Sequence, residues 1–285
     1  MMAAPDSPET RFQDVDFSLA VLWRLGALTN PSGATCRHQK ADEEVCAEVL
    51  DLDHVHALTC KCGPGVDRVH NNIADTLARQ AIEAGCRSRR EVHIPEVAKW
   101  SRGRNGVLRC IDAYLDVRVS GGYEMQDDLW DVTVRHPGAQ VVAERAANTD
   151  GVAAAEGEKA KQARYPPSRG RAVRAFAIEG GGRIGAEGHQ IWADLAREAA
   201  WRDGLRGYPA RRRVQRWRAA VSATLAEGLA QTLHEAIHGE TGRPASKAPQ
   251  VLNHAAPTGQ SAAVRSRADA VARALERQQR RPSRA

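Results

Sequence analysis

Aromatic residues are scarce in this sequence, where Phe, Trp and Tyr together make up 5% of 285 residues. A hydrophobic core built from this chain must therefore consist mainly of aliphatic side chains. The hydrophobic fraction of 42% and the charged fraction of 27% are ordinary for a globular protein. The length favours one main domain with smaller appendages over a small scaffold that depends on disulfides.

Long apolar runs are also lacking. No apolar stretch approaches the roughly 20 residues needed to span a bilayer, so the sequence predicts no membrane association. The N-terminal stretch MMAAPDSPETRFQDVDF carries acidic residues where a signal peptide would have a basic flank and an apolar segment. The sequence therefore predicts an intracellular protein that is not secreted.

Cysteines are too sparse for a disulfide framework, since six in this length, two of them in CKC, lack the density of small secreted domains. Metal ligation or free thiols are the better interpretations. One set of Cys and His residues could bind a structural zinc ion, because two pairs of ligands that flank a short loop can supply the four ligands that zinc needs. The members of this set are separated by nine, nine and three residues: Cys36, Cys46, His56 and Cys60. The spacing is looser than a CxxC pair, so competing ligands stay open: His54, Cys62 and His38. Scattered buried thiols are the alternative.

Acidic residues are few near the C-terminus. Residues 201–285 contain 16 Lys and Arg against 6 Asp and Glu, whereas residues 1–200 contain 25 against 29. The stretches RRRVQRWR and RALERQQRRPSRA could neutralise the phosphates of a nucleic acid, with binding that weakens steeply in salt. Arg211, Arg212 and Arg213 are the DNA-binding candidates there. A solvated helix face followed by a basic tail is the alternative.

Hydrophobic periodicity predicts an α/β fold in which helices flank a mixed central sheet. Apolar residues recur at helical spacing over 66–85, and Gly85 supplies a stop. Strands are predicted at 90–97, 108–119, 129–137 and 171–179. Further helices are predicted at 17–28, at 155–165 after a loop that begins at 139, at 186–203 and at 210–238. Residues 1–15 and the segment from 239 onward are predicted to be disordered.

Two predicted strands each carry an aspartate that would be costly to bury. Asp116 lies in AYLDVRV and Asp131 in WDVTVRHP, with fourteen residues between them. A carboxylate inside a sheet is strongly unfavourable unless it is paired, hydrogen-bonded or bound to a cation. Two acids at the ends of neighbouring strands can bind one Mg²⁺, which activates water for attack on phosphorus. A hairpin at the sheet edge, with both aspartates in solvent, is the alternative.

The order of these motifs resembles the C-terminal region of non-LTR retrotransposon polyproteins, which carries a restriction-like endonuclease of the PD-(D/E)xK superfamily. The matching stretches lie within residues 17–238 and include the Cys and His segment, DRVHNN, AYLDVRV, WDVTVRHP, EKAKQARYP and FAIEGGGRIG. The resemblance implies a restriction-endonuclease-like core and Mg²⁺-dependent nicking of double-stranded DNA, with 5′-phosphate and 3′-hydroxyl ends. It also implies a nuclear or otherwise intracellular location.

The same resemblance implies a domain organisation along the chain. Its parts are an N-terminal tail with a short helix (1–35), a zinc knuckle (36–62), the endonuclease core (63–203), a basic amphipathic helix (204–238) and a disordered basic tail (239–285). Only 35 residues precede the first cysteine, too few for a reverse transcriptase. The expected partners are therefore double-stranded DNA and a reverse transcriptase encoded elsewhere.

Site roles follow from the resemblance residue by residue. It implies that Cys36, Cys46, His56 and Cys60 bind structural Zn²⁺. It implies that Asp116 and Asp131 bind catalytic Mg²⁺, with Lys161 as the catalytic lysine and Glu91 as a further acid on the preceding strand. Arg68, His70 and Asn71 match a DNA-contacting Arg-His-Asn run at the start of a helix.

Several positions depart from the pattern of this family. Leu115 replaces the family's proline, Thr133 stands where a lysine is expected, and Val69 interrupts the Arg-His-Asn run. The catalytic lysine must then come from the helix, where Lys159 competes with Lys161, or be absent. Asp112 could replace Asp116, because it lies four residues earlier on the same face of a strand.

The alternative function is a catalytically inactive, zinc-containing DNA-binding remnant of a mobile element. Such a remnant would use the knuckle and the arginines of the basic helix to bind DNA.

Overall fold

The computed structural model of this protein describes residues 14–28, 33–40, 44–102, 107–123, 125, 127–166, 172–204 and 208–239. All of these belong to one unit of the chain, Met1–Arg243. The two tails that were predicted to be disordered lie outside the described residues, except for three positions. These are Asp14 and Val15, which are helical, and Gly239.

Helices and strands alternate along the described chain. The helices are α1 Asp14–Arg24, α2 Val55–Thr59, α3 Gly65–Glu83, α4 Ala143–Asn148, α5 Val152–Arg164, α6 Ala186–Arg202 and α7 Tyr208–His238. The strands are β1 Arg87–His93, β2 Lys99–Arg102, β3 Leu108–Ile111, β4 Tyr114–Ser120, β5 Asp127–Arg135 and β6 Val173–Glu179. One turn of 3₁₀ helix, Pro95–Val97, follows β1.

A four-stranded sheet with the order β1-β4-β5-β6 forms the centre of the fold. The pairs β1 with β4 and β4 with β5 are antiparallel, whereas β5 and β6 are parallel. Two parallel strands need a crossover connection, and here α4 and α5 supply it between β5 and β6. The predicted α/β class with a mixed sheet is confirmed.

The predicted strand at 108–119 is two strands that belong to different sheets. β3 pairs with β2 in a separate two-stranded sheet, and the chain enters β4 of the main sheet after Asp112 and Ala113. β2 was not predicted, because KWSR is short and mostly polar. The single continuous strand was therefore a wrong prediction.

Helices cover both faces of the main sheet. On one face, Val117, Trp130 and Phe176 share a core with apolar residues of α3, α6 and α7. Side chains alternate between faces along a strand, and on the other face Thr133 and Ala177 lie under Gly157 of α5.

Among the described residues, no helix combines the length and the apolar character needed to cross a bilayer.

Candidate functional site

The strands β4 and β5 are paired over only part of their length. Their ladder joins Val117–Ser120 to Asp127–Trp130, so Asp116 and Asp131 are the first cross-strand positions beyond its end. From there β4 continues beside β1, and β5 continues beside β6. The Asp116 carboxylate takes the place of a backbone acceptor, because its Oδ2 accepts a hydrogen bond from Val132 N–H at 2.6 Å. An opening between two strands therefore holds both acids.

Asp116 and Asp131 form a carboxylate pair at this opening. One ligand atom from each of them and from His70 lie within 4.8 Å of one another. The Asp131 side chain is only 5% exposed, and Lys161 Nζ donates a hydrogen bond to its Oδ2 at 2.8 Å. The structure therefore brings together the two acids and the lysine that the sequence singled out. Lys159, the rival lysine, lies two residues earlier on the same helix.

The partners of the two acids come from helices on opposite faces of the sheet. His70 of α3 has its Nε2 3.0 Å from Asp116 Oδ2 and its Nδ1 3.2 Å from the side-chain oxygen of Asn71. Lys161 extends from α5 on the other side. Because β4 and β5 are not paired here, His70 reaches Asp116 from one face and Lys161 reaches Asp131 from the other.

The two carboxyl groups have pKa values displaced in opposite directions. Burial raises the pKa of Asp131 to about 6, and the hydrogen bond with Asp116 adds to this rise, although Lys161 opposes it. Burial acts in the same sense on Asp116, but the hydrogen bonds with His70 and Asp131 outweigh it and lower its pKa to about 2. Such divergence is typical of two carboxylates that share one site.

His70 also responds to the acid beside it. Burial alone would lower the pKa of His70, but the hydrogen bond and the charge of Asp116 outweigh burial and raise it. Both ring nitrogens face oxygen acceptors, as expected of an imidazolium. Tyr165, one turn after Lys161, lies beside the pair as well, since burial followed by the charge of Asp131 raises its pKa to about 12.

Replacing Asp131 with Asn is expected to stabilise the protein at neutral pH when no divalent metal is added. Folding raises the pKa of Asp131 from its ordinary value of 3.8 to about 6. Between these values the folded state binds more protons than the unfolded state, so wild-type stability falls as pH rises. Urea unfolding should show the advantage of the variant growing by about 1 kcal/mol between about pH 5 and pH 7.5. A constant difference would contradict the raised pKa.

Glu91 and Asp112 lie away from the carboxylate pair. Glu91 is exposed, its φ of 50° is in the left-handed region, and it is skipped in the ladder between β1 and β4. The Arg90 guanidinium, which donates to the carbonyl oxygen of Asp116, spans this break in the ladder. Asp112 is exposed and contacts His93 at 3.3 Å. The structure therefore brings neither acid to the pair, and Asp116 is the aspartate that meets Asp131.

The predicted DNA-contacting run at the start of α3 has mixed surroundings. Arg68 forms two hydrogen bonds of 2.8 and 2.9 Å to Glu235 of α7, so it joins two helices and is not directed into solvent. His70 is directed to Asp116, as described above. Asn71 is exposed. Two of these three side chains therefore contact other parts of the protein.

The arginines at the start of α7 differ in the same way. Arg211 and Arg212 are exposed. Arg213 pairs with Asp203 at 2.8 Å and lies 3.8 Å from Glu83. Arg211 and Arg212 are therefore more open to solvent than Arg213.

A second group of ligands forms near the N-terminus, where one ligand atom from each of four residues lies within 4.8 Å of the others: Cys36, Cys46, His56 and Cys60. Isolated bridges between Thr35 and Val49 and between Gln39 and Val45 fold one segment back on the next. Three thiols and one imidazole are a ligand set that zinc prefers. The predicted set is thus assembled as a site that could hold a zinc-like metal.

The competing ligands near this group are directed elsewhere or lie beside it. His38 Nε2 is 3.1 Å from the carbonyl oxygen of Thr232, and His54 Nε2 is 3.2 Å from that of Leu28. Desolvation, followed by interactions with Cys46 and Cys60, raises the pKa of Cys62 to about 11, but Cys62 is not one of the four that meet. His56 is therefore the histidine of the site.

Sequence reasoning missed the residue that positions His56. The two carboxylate oxygens of Asp51 accept hydrogen bonds from Val55 N–H at 2.8 Å and His56 N–H at 2.7 Å, which caps the first turn of α2. An aspartate shortly before a helix is an ordinary capping signal, and it could have been recognised. Cys60 directly follows the same helix, so this cap helps to fix two of the four ligands.

Neither the models of known protein families nor the curated proteins include a match to this sequence. The function is therefore inferred from the chemistry of these two groups of residues.

Proposed function

We propose that this protein is a metal-dependent DNA endonuclease that nicks double-stranded DNA and derives from the restriction-like endonucleases of non-LTR retrotransposons. The observation that carries the proposal is the meeting of Asp116, Asp131 and Lys161 where β4 and β5 separate. Two acids and a lysine at the rim of a mixed sheet are suited to phosphodiester hydrolysis.

The acid pair is a suitable site for a hard divalent cation. Two carboxylates directly opposite each other on neighbouring strands repel, and a cation between them removes that repulsion. Mg²⁺ and Mn²⁺ favour carboxylate oxygens, and His70, once it has released its proton, would add an imidazole nitrogen that Mn²⁺ accepts more readily than Mg²⁺ does. The ion would polarise a phosphate and lower the pKa of a bound water.

The surrounding residues fix the positions of the charged groups. Val132 N–H and His70 hold one oxygen of Asp116 from two sides. Lys161, with a side chain only 17% exposed, is held against Asp131. Its ammonium would stabilise the negative charge that develops on a phosphate in the transition state. The lysine of the site would therefore come from α5, because β5 has Thr133 where a lysine is expected.

The Cys and His group is proposed to bind structural Zn²⁺. Four protein ligands complete a tetrahedron and leave no position for a substrate. Burial raises the pKa of Cys60 to about 11, so the thiolate needs a bound cation at neutral pH. The ion would fix the segment from Cys36 to Cys60 against α7, where Arg37 N–H donates to the carbonyl oxygen of Ala236 at 2.9 Å.

Replacing Lys161 with Met should reduce nicking by about 10²- to 10³-fold, because a charge directed at the reacting phosphate is lost. Replacing Lys159 with Met is the matched control, since it removes the same charge from the same helix two residues away. Initial rates of plasmid nicking under saturating Mg²⁺ distinguish the two lysines. Equal losses would show that the helix contributes only general positive charge.

A catalytically inactive DNA-binding module is the second candidate. It is favoured by the charge balance of the site, where Lys161 and His70 already compensate the two acids without a metal. The deciding experiment is conversion of supercoiled plasmid to the open circular form by the full chain in Mg²⁺ or Mn²⁺. Metal-dependent nicking supports the nuclease, whereas salt-sensitive gel-shift binding without nicking supports the inactive module.

A further inference from the structure

A cavity lies near the carboxyl ends of the parallel strands β5 and β6. These strands lead into His136 and Gly180, and Gly180 N–H donates to the carbonyl oxygen of Arg135 at 2.8 Å. The cavity measures about 460 Å³, and its lining includes Trp23, Leu28 and Gly181. Ligands of α/β sheets bind preferentially at the carboxyl ends of parallel strands, and this volume is within the range of small-molecule sites.

Two nitrogens of the Arg24 guanidinium are buried at this cavity without a hydrogen-bond partner. Arg24 is the last residue of α1 and lines the cavity. Its Nε and Nη2 atoms are buried and have no hydrogen-bond partner among the described residues. Burial lowers the pKa of this group. A buried donor without a partner destabilises a fold, so a retained one indicates an absent acceptor.

His136 adds a second unpartnered donor next to the cavity. Its Nδ1 accepts a hydrogen bond from Gly138 N–H at 3.1 Å, so Nε2 carries the proton of the neutral ring. Nε2 is also buried and has no partner within the described part of the chain. The ring centroid of His136 lies 6.0 Å from that of Trp23, which lines the cavity.

The glycine turn Gly180–Gly182 lies beside both donors. A Cβ at Gly180 would lie 3.8 Å from His136 Nε2, and one at Gly182 would lie 3.7 Å from Arg24 Nη2. A Cβ at Gly181, between them, would meet no atom within 4 Å. Side chains are thus absent from the turn where the two donor groups approach, and the space beside Gly181 is open.

We propose that this cavity binds a 5′-nucleotide unit, with its phosphate on Arg24 and His136 and its base against Trp23. A planar guanidinium and a ring N–H match the oxygens of a phosphate, and an indole with a neighbouring leucine matches the planar, weakly polar base. Asp53 also lines the cavity, but it is exposed, so solvent screens its charge. The site shares no residue with the carboxylate pair, and the inference does not depend on nuclease activity.

The nucleotide unit could be free or could be the phosphorylated end of a nucleic acid strand, and calorimetry distinguishes these sources. The probes for the full zinc-containing chain are deoxyadenosine 5′-monophosphate, deoxyadenosine, inorganic phosphate, and one short oligonucleotide with and without a 5′-phosphate. The nucleotide should bind at least about tenfold more tightly than the nucleoside or phosphate alone. Binding of the phosphorylated oligonucleotide alone identifies a strand end as the ligand.

Three variants test the site. Arg24→Gln should weaken binding by at least about tenfold, and so should Gly181→Leu, which fills the space without changing charge. Arg145→Gln, at an exposed arginine paired with Glu156, should leave binding unchanged. Ligand-free Arg24→Gln should melt no lower than the wild type, because it removes an unpartnered buried cation. The proposal would be overturned if Arg24→Gln and wild type bound with equal affinity, or if neither the nucleotide nor the phosphorylated oligonucleotide bound. A lower melting temperature of Arg24→Gln would overturn it as well.

Discussion

Replacing Asp131 with Asn should reduce DNA nicking by at least about 10³-fold while the protein stays folded. Asn keeps the shape of the side chain but loses the charge that would hold a divalent cation beside Asp116. Excess Mg²⁺ should not restore the rate, because an amide is a poor ligand for this ion. Asp116→Asn should have an effect of the same order, since the two acids act as one site.

Asp112→Asn is the matched control for both variants. Asp112 lies close to Asp116 in sequence, but its side chain is 59% exposed and contacts His93 at 3.3 Å. Its replacement should change the nicking rate less than about twofold. A large loss in Asp112→Asn together with full activity of Asp116→Asn would show that the wrong aspartate has been assigned. Full activity of Asp131→Asn would exclude the nuclease mechanism.

Asp131→Asn is expected to reduce nicking and at the same time to stabilise the protein at neutral pH. This combination distinguishes a functional residue from a structural one. Like charges packed together at low exposure destabilise a fold unless a cation joins them. A purely structural aspartate would lose stability on replacement, because its partners would be left unpaired. At Asp131 the raised pKa predicts the reverse at neutral pH. A variant that is inactive but at least as stable as the wild type is therefore the signature expected of a metal-binding acid pair.

Local patterns in the sequence were sufficient for most helices and strands. The prediction of a helix over 66–85 agrees with α3, because every fourth residue is apolar and Gly85 ends the helix. β6 was recognised from a mostly apolar run that GGGRIG ends, and it is buried over most of its length. The break between β3 and β4 was missed, because the partner of each strand lies elsewhere in the chain and no Gly or Pro marks the break in LRCIDAYLDVRV.

The candidate sites show the same division between local and distant information. Asp116 and Asp131 attract attention because each interrupts an apolar strand, and a neighbouring cation is the ordinary compensation. The role of His70 could not be found in this way, since it contacts an acid 46 residues further along the chain. The cavity beside Arg24 was equally hidden, because α1 and the glycine turn after β6 meet only in the folded protein.

The segment that carries the Cys and His group is part of the main core. Cys36, Ala57, Leu58 and Cys60 belong to the same buried cluster as residues of α3 and α7. The segment is short and has few apolar side chains of its own, so its fold depends on cross-links between its ends. In zinc-finger peptides a structural zinc site contributes about 10–16 kcal/mol at neutral pH, as much as the whole stability of a typical domain.

Cys36→Ser should therefore abolish zinc binding and lower the melting temperature by at least about 10 °C. Metal analysis should give about one zinc per chain for the wild type and almost none for the variant. A zinc chelator should lower the melting temperature of the wild type by a similar amount and leave that of Cys36→Ser unchanged. The loss of order should extend to α7, because Arg37 and His38 bond to its backbone carbonyl groups.

Two other cysteines separate loss of the metal from loss of a thiol. Cys86 is buried outside the Cys and His group, so Cys86→Ser measures the effect of placing a hydroxyl in the core while zinc is retained. Cys110 is exposed, and Cys110→Ser should change neither zinc content nor stability. If Cys36→Ser resembles Cys86→Ser in both measurements, these thiols are ordinary core residues. If only Cys36→Ser loses zinc, and the chelator reproduces its lower melting temperature, the metal holds this part of the fold together.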